Sequence, residues 1–228
     1  MNFNYQMRFA KTGRARFIAH LDTLSLLVRA VRRTGYELAF TGGMRPKPIL
    51  SLAMPLGVGV EGEDEMCDFS LKQRVPLTEF AQKLQRQLPE GIRLTALAPS
   101  LDRSKSAARV ISVSYRINVA DAAGWADAAA RFSSEPSLVV LRRRPKGDKD
   151  VDVKKYVDKV TIGARGVEFD MKVTAEGTAR PEEVVELLER FAGRQMTQPR
   201  VVRTGIVLAE EKKPARLPGP GRGRPRRR

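Results

Sequence analysis

His20 is the single histidine of the chain and Cys67 its single cysteine. Imidazole titrates near neutral pH, so His20 is the residue best suited to general acid or base work, or to orienting a phosphate at a helix N-terminus. The plainer alternative is packing or capping beside Asp22. Arg14 and Arg16 flank the same stretch in KTGRARF. If the helix that follows folds back on its sheet, these arginines are expected to gather at one edge with Arg45 and Lys47.

Those two cations sit in the loop GGMRPKP, Gly42–Pro48. Proline stiffens a loop, and glycine permits close backbone approach. Arg45 and Lys47 are therefore read as phosphate ligands presented on a firm turn, against the alternative of a solvated hairpin tip. Arg142, Arg143 and Arg144, followed by Pro145 and Lys146, form a second basic cluster. Aromatic residues make up 6% of the chain and few lie near these clusters, which favours contact with phosphate over stacking on bases.

Other chemistries lack their residues. A structural zinc site takes about four Cys or His ligands, and thiolate-held iron–sulfur clusters need several cysteines. Neither set can be assembled from one histidine and one cysteine. No GxxxxGK[ST] is present, and the glycines of GVGVEG (Gly57, Gly59, Gly62) lie in a strand-turn context that reads as turns or bulges. Cys67, among strand residues, reads as a small buried hydrophobe. No metal and no other cofactor is expected.

The elements that must position these residues follow from periodicity. Asn4–Phe9 reads as a strand. Leu24, Leu27, Val28 and Val31 fall on one face of a helix over Leu21–Arg33, with Gly35 as its stop. Extended segments follow at Glu37–Phe40, Ile49–Met54 and Glu65–Leu71, then a helix over Leu77–Leu88 and a strand at Ile92–Ala98. After a polar linker, Pro99–Ala108, the pattern restarts. Ile111, Val113, Tyr115, Ile117 and Val119 alternate as in a half-buried strand. Asp121 is placed to cap a helix carrying Trp125, Ala128, Ala129 and Phe132. Leu138–Leu141 reads as the next strand, and Val167, Phe169, Met171 and Val173 alternate again. Pro181, Glu182 and Glu183 open a helix that Gly193 ends, and Val201–Leu208 closes the series.

Strand–helix–strand–strand–helix–strand, twice over, predicts an α+β protein of two tandem ferredoxin-like (βαββαβ) units, residues 1–100 and 109–210, with no residue-level repeat between them. Residues 211–228 contain almost no apolar side chain and are expected to form a disordered, Arg-rich tail.

The net charge is +16, from 42 Lys and Arg against 26 Asp and Glu. Eight of the cations fall in residues 212–228, which hold no acid, so the 34 that remain still outnumber the 26 acids. A basic body with a basic tail suits a polyanion, nucleic acid being the usual one and an acidic membrane surface the competitor. No run approaches the ~18 apolar residues of a membrane span, and Met1–Arg8 lacks the apolar core of a signal peptide. A cytoplasmic protein without membrane association is expected. The sequence assigns no oligomeric state.

RFAKTGRARFIAHLD with RAVRRTG (Arg8–Gly35), GMRPKPILSLAMPLGVG (Gly43–Gly59) and the acidic EGEDEMCDFSL together resemble the radical SAM-associated (radical SAM-linked) protein family, a bacterial domain of unknown function. The likeness continues more loosely through RRRPKGDKDVDVKKYV and RPEEVVELL. Members of that family are encoded beside, or fused behind, a large radical SAM protein, often near ribonuclease E/G and ribosomal-protein genes. The resemblance therefore implies a radical SAM partner that holds the cluster, and a link to RNA or ribosome maturation. This chain departs from the family's PHPK-like loop, with Lys47 where the loop histidine stands. A looser likeness to tandem ferredoxin-like CRISPR repeat-processing endoribonucleases points to the histidine near the first helix.

The leading expectation is an RNA-facing accessory protein of a radical SAM enzyme, non-catalytic by itself, with Arg14, Arg16, Arg45, Lys47, Arg142, Arg143 and Arg144 on RNA phosphates. The alternative is a metal-independent endoribonuclease using His20, with Arg45 or Lys47 stabilising charge at the scissile phosphate. A protein-binding scaffold is the third reading.

Overall fold

The computed structural model describes residues 1–100, 106–145 and 147–209. The expected tail, residues 211–228, lies outside the described residues, as do Lys146 and residues 101–105 of the expected linker. The described chain is α+β, with four α-helices and a large mixed sheet.

In the first half, β1 (Phe3–Lys11) leads through a 3-10 turn (Gly13–Phe17) into α1 (His20–Arg33). Then come β2 (Leu50–Leu52), β3 (Glu61–Leu71), α2 (Leu77–Gln85) and β4 (Ile92–Pro99). The second half runs β5 (Val110–Asn118), α3 (Ala126–Ser134), β6 (Val139–Arg142), β7 (Lys149–Asp152), β8 (Thr161–Gly163), β9 (Gly166–Lys172), α4 (Pro181–Ala192) and β10 (Arg200–Leu208).

Eight strands form one sheet in the order β4-β1-β3-β10-β5-β9-β8, with β2 also on β3. Pairing within each half is antiparallel, so β4-β1-β3-β2 is matched by β10-β5-β9-β8. The halves join by a short parallel contact, Val202 with Glu61 and Arg203 with Gly62. It forms because β3 runs past β2, whose pairing covers only Cys67 to Phe69.

Alternation buries one face of each half. Tyr5, Met7, Phe9, Cys67 and Phe69 pack with Leu27, Val31, Phe80 and Leu84. Val113, Tyr115, Ile117, Phe169 and Met171 pack with Phe132, Val184, Leu187 and Leu188. Ala53, Leu56, Val60 and Met66 of the first half join this second core. Two cross-strand pairs correspond: Tyr5 with Phe69 on β1–β3, and Tyr115 with Phe169 on β5–β9, each at 5.6 Å between ring centroids and 25° between planes. The halves thus share a residue-level echo that sequence reading misses, because each partner lies on a distant strand.

Departures from the expected elements have local causes. Glu37–Phe40 makes only single bridges, Leu38 to Leu71 and Phe40 to Pro48, and Ile49–Met54 shortens to Leu50–Leu52. Pro46, Pro48 and Pro55 supply no N–H to a ladder. The strand expected at Leu138–Leu141 forms as β6, but it pairs with β7 in a separate two-stranded sheet. Asp152 ends this hairpin, accepting from the Leu138 and Lys154 N–H groups at 2.9 and 3.2 Å. The place in the main sheet goes to three-residue β8, too short to show a period. Asp121 caps a 3-10 turn (Ala123–Trp125) through the Gly124 N–H at 2.9 Å, and α3 follows. α4 starts at Pro181, with Glu183 Oε2 accepting from Arg180 N at 2.8 Å, and Gly193 ends it at φ +64°.

Candidate nucleic-acid interface

The 3-10 turn after β1 is fastened on several sides. Glu61 Oε1 accepts from Gly13 N (3.2 Å) and from Arg16 Nη1 (3.1 Å), and the Arg16 carbonyl accepts from Gly59 N at 2.9 Å. Thr12 N donates to Gly91 O at 2.8 Å. Gly91, at φ +83°, is required there, since a Cβ would stand 2.5 Å from the Thr12 carbonyl oxygen. Arg16 is therefore a structural tie between this turn and β3. Arg14 is exposed and has no ion-pair partner among the described residues.

His20 opens α1. Its Nδ1 is buried, and among the described residues it has no hydrogen-bond partner to fix the ring's tautomer from that side.

Arg45 and Lys47 stand at the other end of the sheet. Their loop leaves where Leu38 meets Leu71 and closes through Thr41 N to Lys47 O (2.9 Å) and Lys47 N to Thr41 Oγ1 (3.0 Å). β1 ends beside Gly62, whereas this loop springs from the Leu71 end of β3. At ~3.3 Å per residue the points on β3 from which the two sites spring are about 30 Å apart along the strand. The expected gathering of Arg14 and Arg16 with Arg45 and Lys47 is thus not what the fold makes: α1 packs back along the sheet and carries the chain from one end to the other. Thr41–Lys47 is exposed throughout, and neither cation has an acidic partner among the described residues.

The run Arg142–Arg144 divides. Arg142 grips Glu183 with Nε and Nη2 at 2.6 and 2.7 Å and donates to Thr178 O at 3.1 Å. Its side chain is 11% exposed, and the Glu183 hydrogen bond holds its pKa above the ordinary guanidinium value. It pins β6 to the start of α4 and is not available to a phosphate. Arg143 and Arg144 are exposed cations with no ion-pair partner among the described residues.

Sequence reading missed the seam between the halves. Arg203, 1% exposed, binds Glu65 through Nε (2.8 Å) and Nη2, and donates to the carbonyls of Pro55 and Met54 at 3.0 and 3.1 Å. Gly62 leaves space for the Glu65 carboxylate, where a Cβ would lie 2.4 Å from Oε1. Lys11, also buried, donates to Ile18 O at 2.6 Å. Burial lowers its pKa, and Arg203 adds to that, against the pull of Glu65. Cys67 is fully buried, and burial with Asp68 nearby pushes its thiol far up, leaving it inert.

The helix-free sheet face of the second half forms a cleft of about 710 Å³. Four cations line it (Arg116, Lys159, Arg165, Lys172), matched by Glu63, Asp158, Glu168 and Asp170. Arg116 pairs with Glu63 at 2.6 Å and Lys172 bonds Asp158 at 2.8 Å. The aromatics of these strands, Tyr115 and Phe169, are buried on the other face. Such a balanced face offers neither excess charge for phosphate nor rings for bases. Among the described residues, no group of three or more His, Cys, Asp or Glu is placed to hold a metal ion, and no helix is long and apolar enough to cross a membrane.

Residues 4–185 match the model of a family described as "Uncharacterized protein conserved in bacteria (DUF2344)". No curated protein matches the chain. Among solved structures, it is similar to "Crystal Structure of an Unknown Protein from Galdieria sulphuraria", at 12% identity and a TM-score of 0.29, covering 91% of this chain and all of that one.

Proposed function

The chain belongs to the bacterial family DUF2344, and from that premise we propose that it is an RNA-facing accessory protein working beside a radical SAM enzyme. The observation that carries the RNA part is the closed, exposed loop Thr41–Lys47, where Arg45 and Lys47 have no acidic partner among the described residues, on a chain of net charge +16. Arg14, Arg143 and Arg144 add exposed cations elsewhere, and the basic segment 212–228 adds nonspecific affinity. The radical SAM partner rests on the likeness of Arg8–Gly35 and Gly43–Gly59 to the radical SAM-linked proteins. We read the two halves, with their matching strand orders, as ferredoxin-like units, and place the protein in the cytoplasm.

Two observations weigh against the endoribonuclease alternative. Among the described residues His20 Nδ1 has no orienting partner, and Arg45 and Lys47 sit too far away to serve the same phosphate.

Tagged full-length protein, recovered from its bacterium, should bring down a defined set of RNAs and a radical SAM protein. Arg45→Ala with Lys47→Ala should thin the RNA while keeping the protein partner. RNA no more enriched than with an unrelated basic protein of equal charge overturns the RNA part. Absence of any radical SAM protein from the recovered material overturns the accessory part.

A further inference from the structure

Phe17 closes the 3-10 turn, and it is 58% exposed. A ring in water is ordinarily free to move, and single exposed apolar side chains are common. This one is held. The Arg16 guanidinium lies 4.6 Å from the ring centroid. Arg16 is in turn fixed by Glu61 and by the Gly59 N–H on its carbonyl. On the other side of Phe17 in sequence, the buried Lys11 ammonium clasps the carbonyl of Ile18 at 2.6 Å. The backbone is thus pinned before and after the ring.

Leu21, on the first turn of α1, is 72% exposed, and Val58, next to the Gly59 that binds Arg16, is 62% exposed. Arg14 stands three residues before Phe17 with no acidic partner among the described residues. The two segments that meet here, RARFIAHL and MPLGVG, come from separate parts of the chain.

We infer that Phe17 is a stacking platform for one unpaired base of single-stranded RNA, with Arg14 on the adjoining phosphate. This rests on the RNA reading above and adds a second contact point to it, about 30 Å along β3 from where the Arg45 and Lys47 loop springs. A pre-positioned ring loses little conformational freedom on binding, and aromatic stacking accepts any base. Charge decides between RNA and an apolar protein segment as the occupant. Among the described residues, the acid hydrogen-bonded to the turn is Glu61, and it is engaged by Arg16 and Gly13, which leaves Arg14 to a negatively charged partner.

The test uses the full chain and a short single-stranded oligoribonucleotide carrying a fluorescent purine analogue, at low and high salt. Phosphate contacts weaken with salt, whereas stacking does not. Phe17→Ala should weaken binding about tenfold at both salts, leave the salt slope unchanged, and abolish the change in analogue fluorescence. Phe17→Trp should retain affinity and fluorescence change, and Phe17→Leu should not. With the ring exposed, all three variants should keep the wild-type melting temperature.

If Phe17→Leu binds as well as wild type, the position is an apolar contact suited to a protein partner, and stacking is overturned. If Phe17→Ala binds unchanged while Arg45→Ala with Lys47→Ala binds poorly, the platform is overturned and the RNA reading stands. If wild type fails to bind the probe even at low salt, the RNA reading falls and takes the platform with it.

Discussion

The seam between the halves and the exposed turn and loop at the ends of β3 are both rich in cations, yet they treat charge in opposite ways. At the seam, Arg203 and Lys11 are dry; Arg203 is paired with Glu65 and also bonds the Pro55 and Met54 carbonyls, and Lys11 bonds the Ile18 carbonyl. At the surface, Arg14, Arg45, Lys47, Arg143 and Arg144 are wet and have no acidic partner among the described residues. Buried charges are costly unless paired and hydrogen-bonded, so the seam's cations are committed to architecture. Exposed unpaired cations add little to stability and are free for a polyanion. Residue type alone does not separate the two uses; the presence of a partner does.

Substitution at the seam should have the largest effect. Arg203→Ala leaves the Glu65 carboxylate and two carbonyls without their donor, and chemical denaturation should show a loss of about 3–5 kcal/mol. Replacing Arg203 and Glu65 together by methionines should recover part of it, because no lone charge is left buried. A loss below ~1 kcal/mol for Arg203→Ala would erase the contrast between seam and surface.

Arg142→Ala should follow, at about 2 kcal/mol, since it breaks a two-pronged, largely buried grip on Glu183. Its RNA affinity, measured on the folded protein, should match wild type.

Lys11 gives a pH signature. Its folded pKa is lowered, so between that value and its ordinary pKa the unfolded chain binds more protons than the folded one. Stability should therefore rise with pH on the alkaline side of neutrality. The gain should stop near pH ~10, because burial raises the Tyr115 pKa and the folded state then resists losing that proton. Lys11→Met should flatten the rise, and a denaturation series across that range reads it directly. An unchanged slope in Lys11→Met would assign the effect elsewhere.

Arg45→Ala with Lys47→Ala should be the mildest for stability, within ~0.5 kcal/mol, since both residues are exposed and have no ion-pair partner among the described residues.

Much of the fold was legible because periodicity is local. The stripe Leu24, Leu27, Val28, Val31 placed α1, and the alternation from Ile111 to Val119 placed β5. β8 was not legible, since three residues show no period, and neither was the exile of β6 from the main sheet. For the site, the exposed state of Arg45 and Lys47 followed from their Pro- and Gly-rich loop. The commitment of Arg16 and Arg142 did not, because Glu61 and Glu183 lie 45 and 41 residues away and only the fold brings them near. Phe17 was not singled out by any periodicity. Its exposure arises because a 3-10 turn, not a strand or helix, carries it.

The salt dependence of single-stranded RNA binding tests the division of labour most directly. Each phosphate neutralised contributes a slope of about −0.7 in log K against log salt. The full chain with Arg45→Ala and Lys47→Ala should therefore show a slope shallower by about 1.4 than wild type, while Arg142→Ala keeps the wild-type slope. Equal slopes for wild type and the loop variant, or an equally shallow slope for Arg142→Ala, would contradict the claim that the unpaired surface cations are the ones that meet RNA.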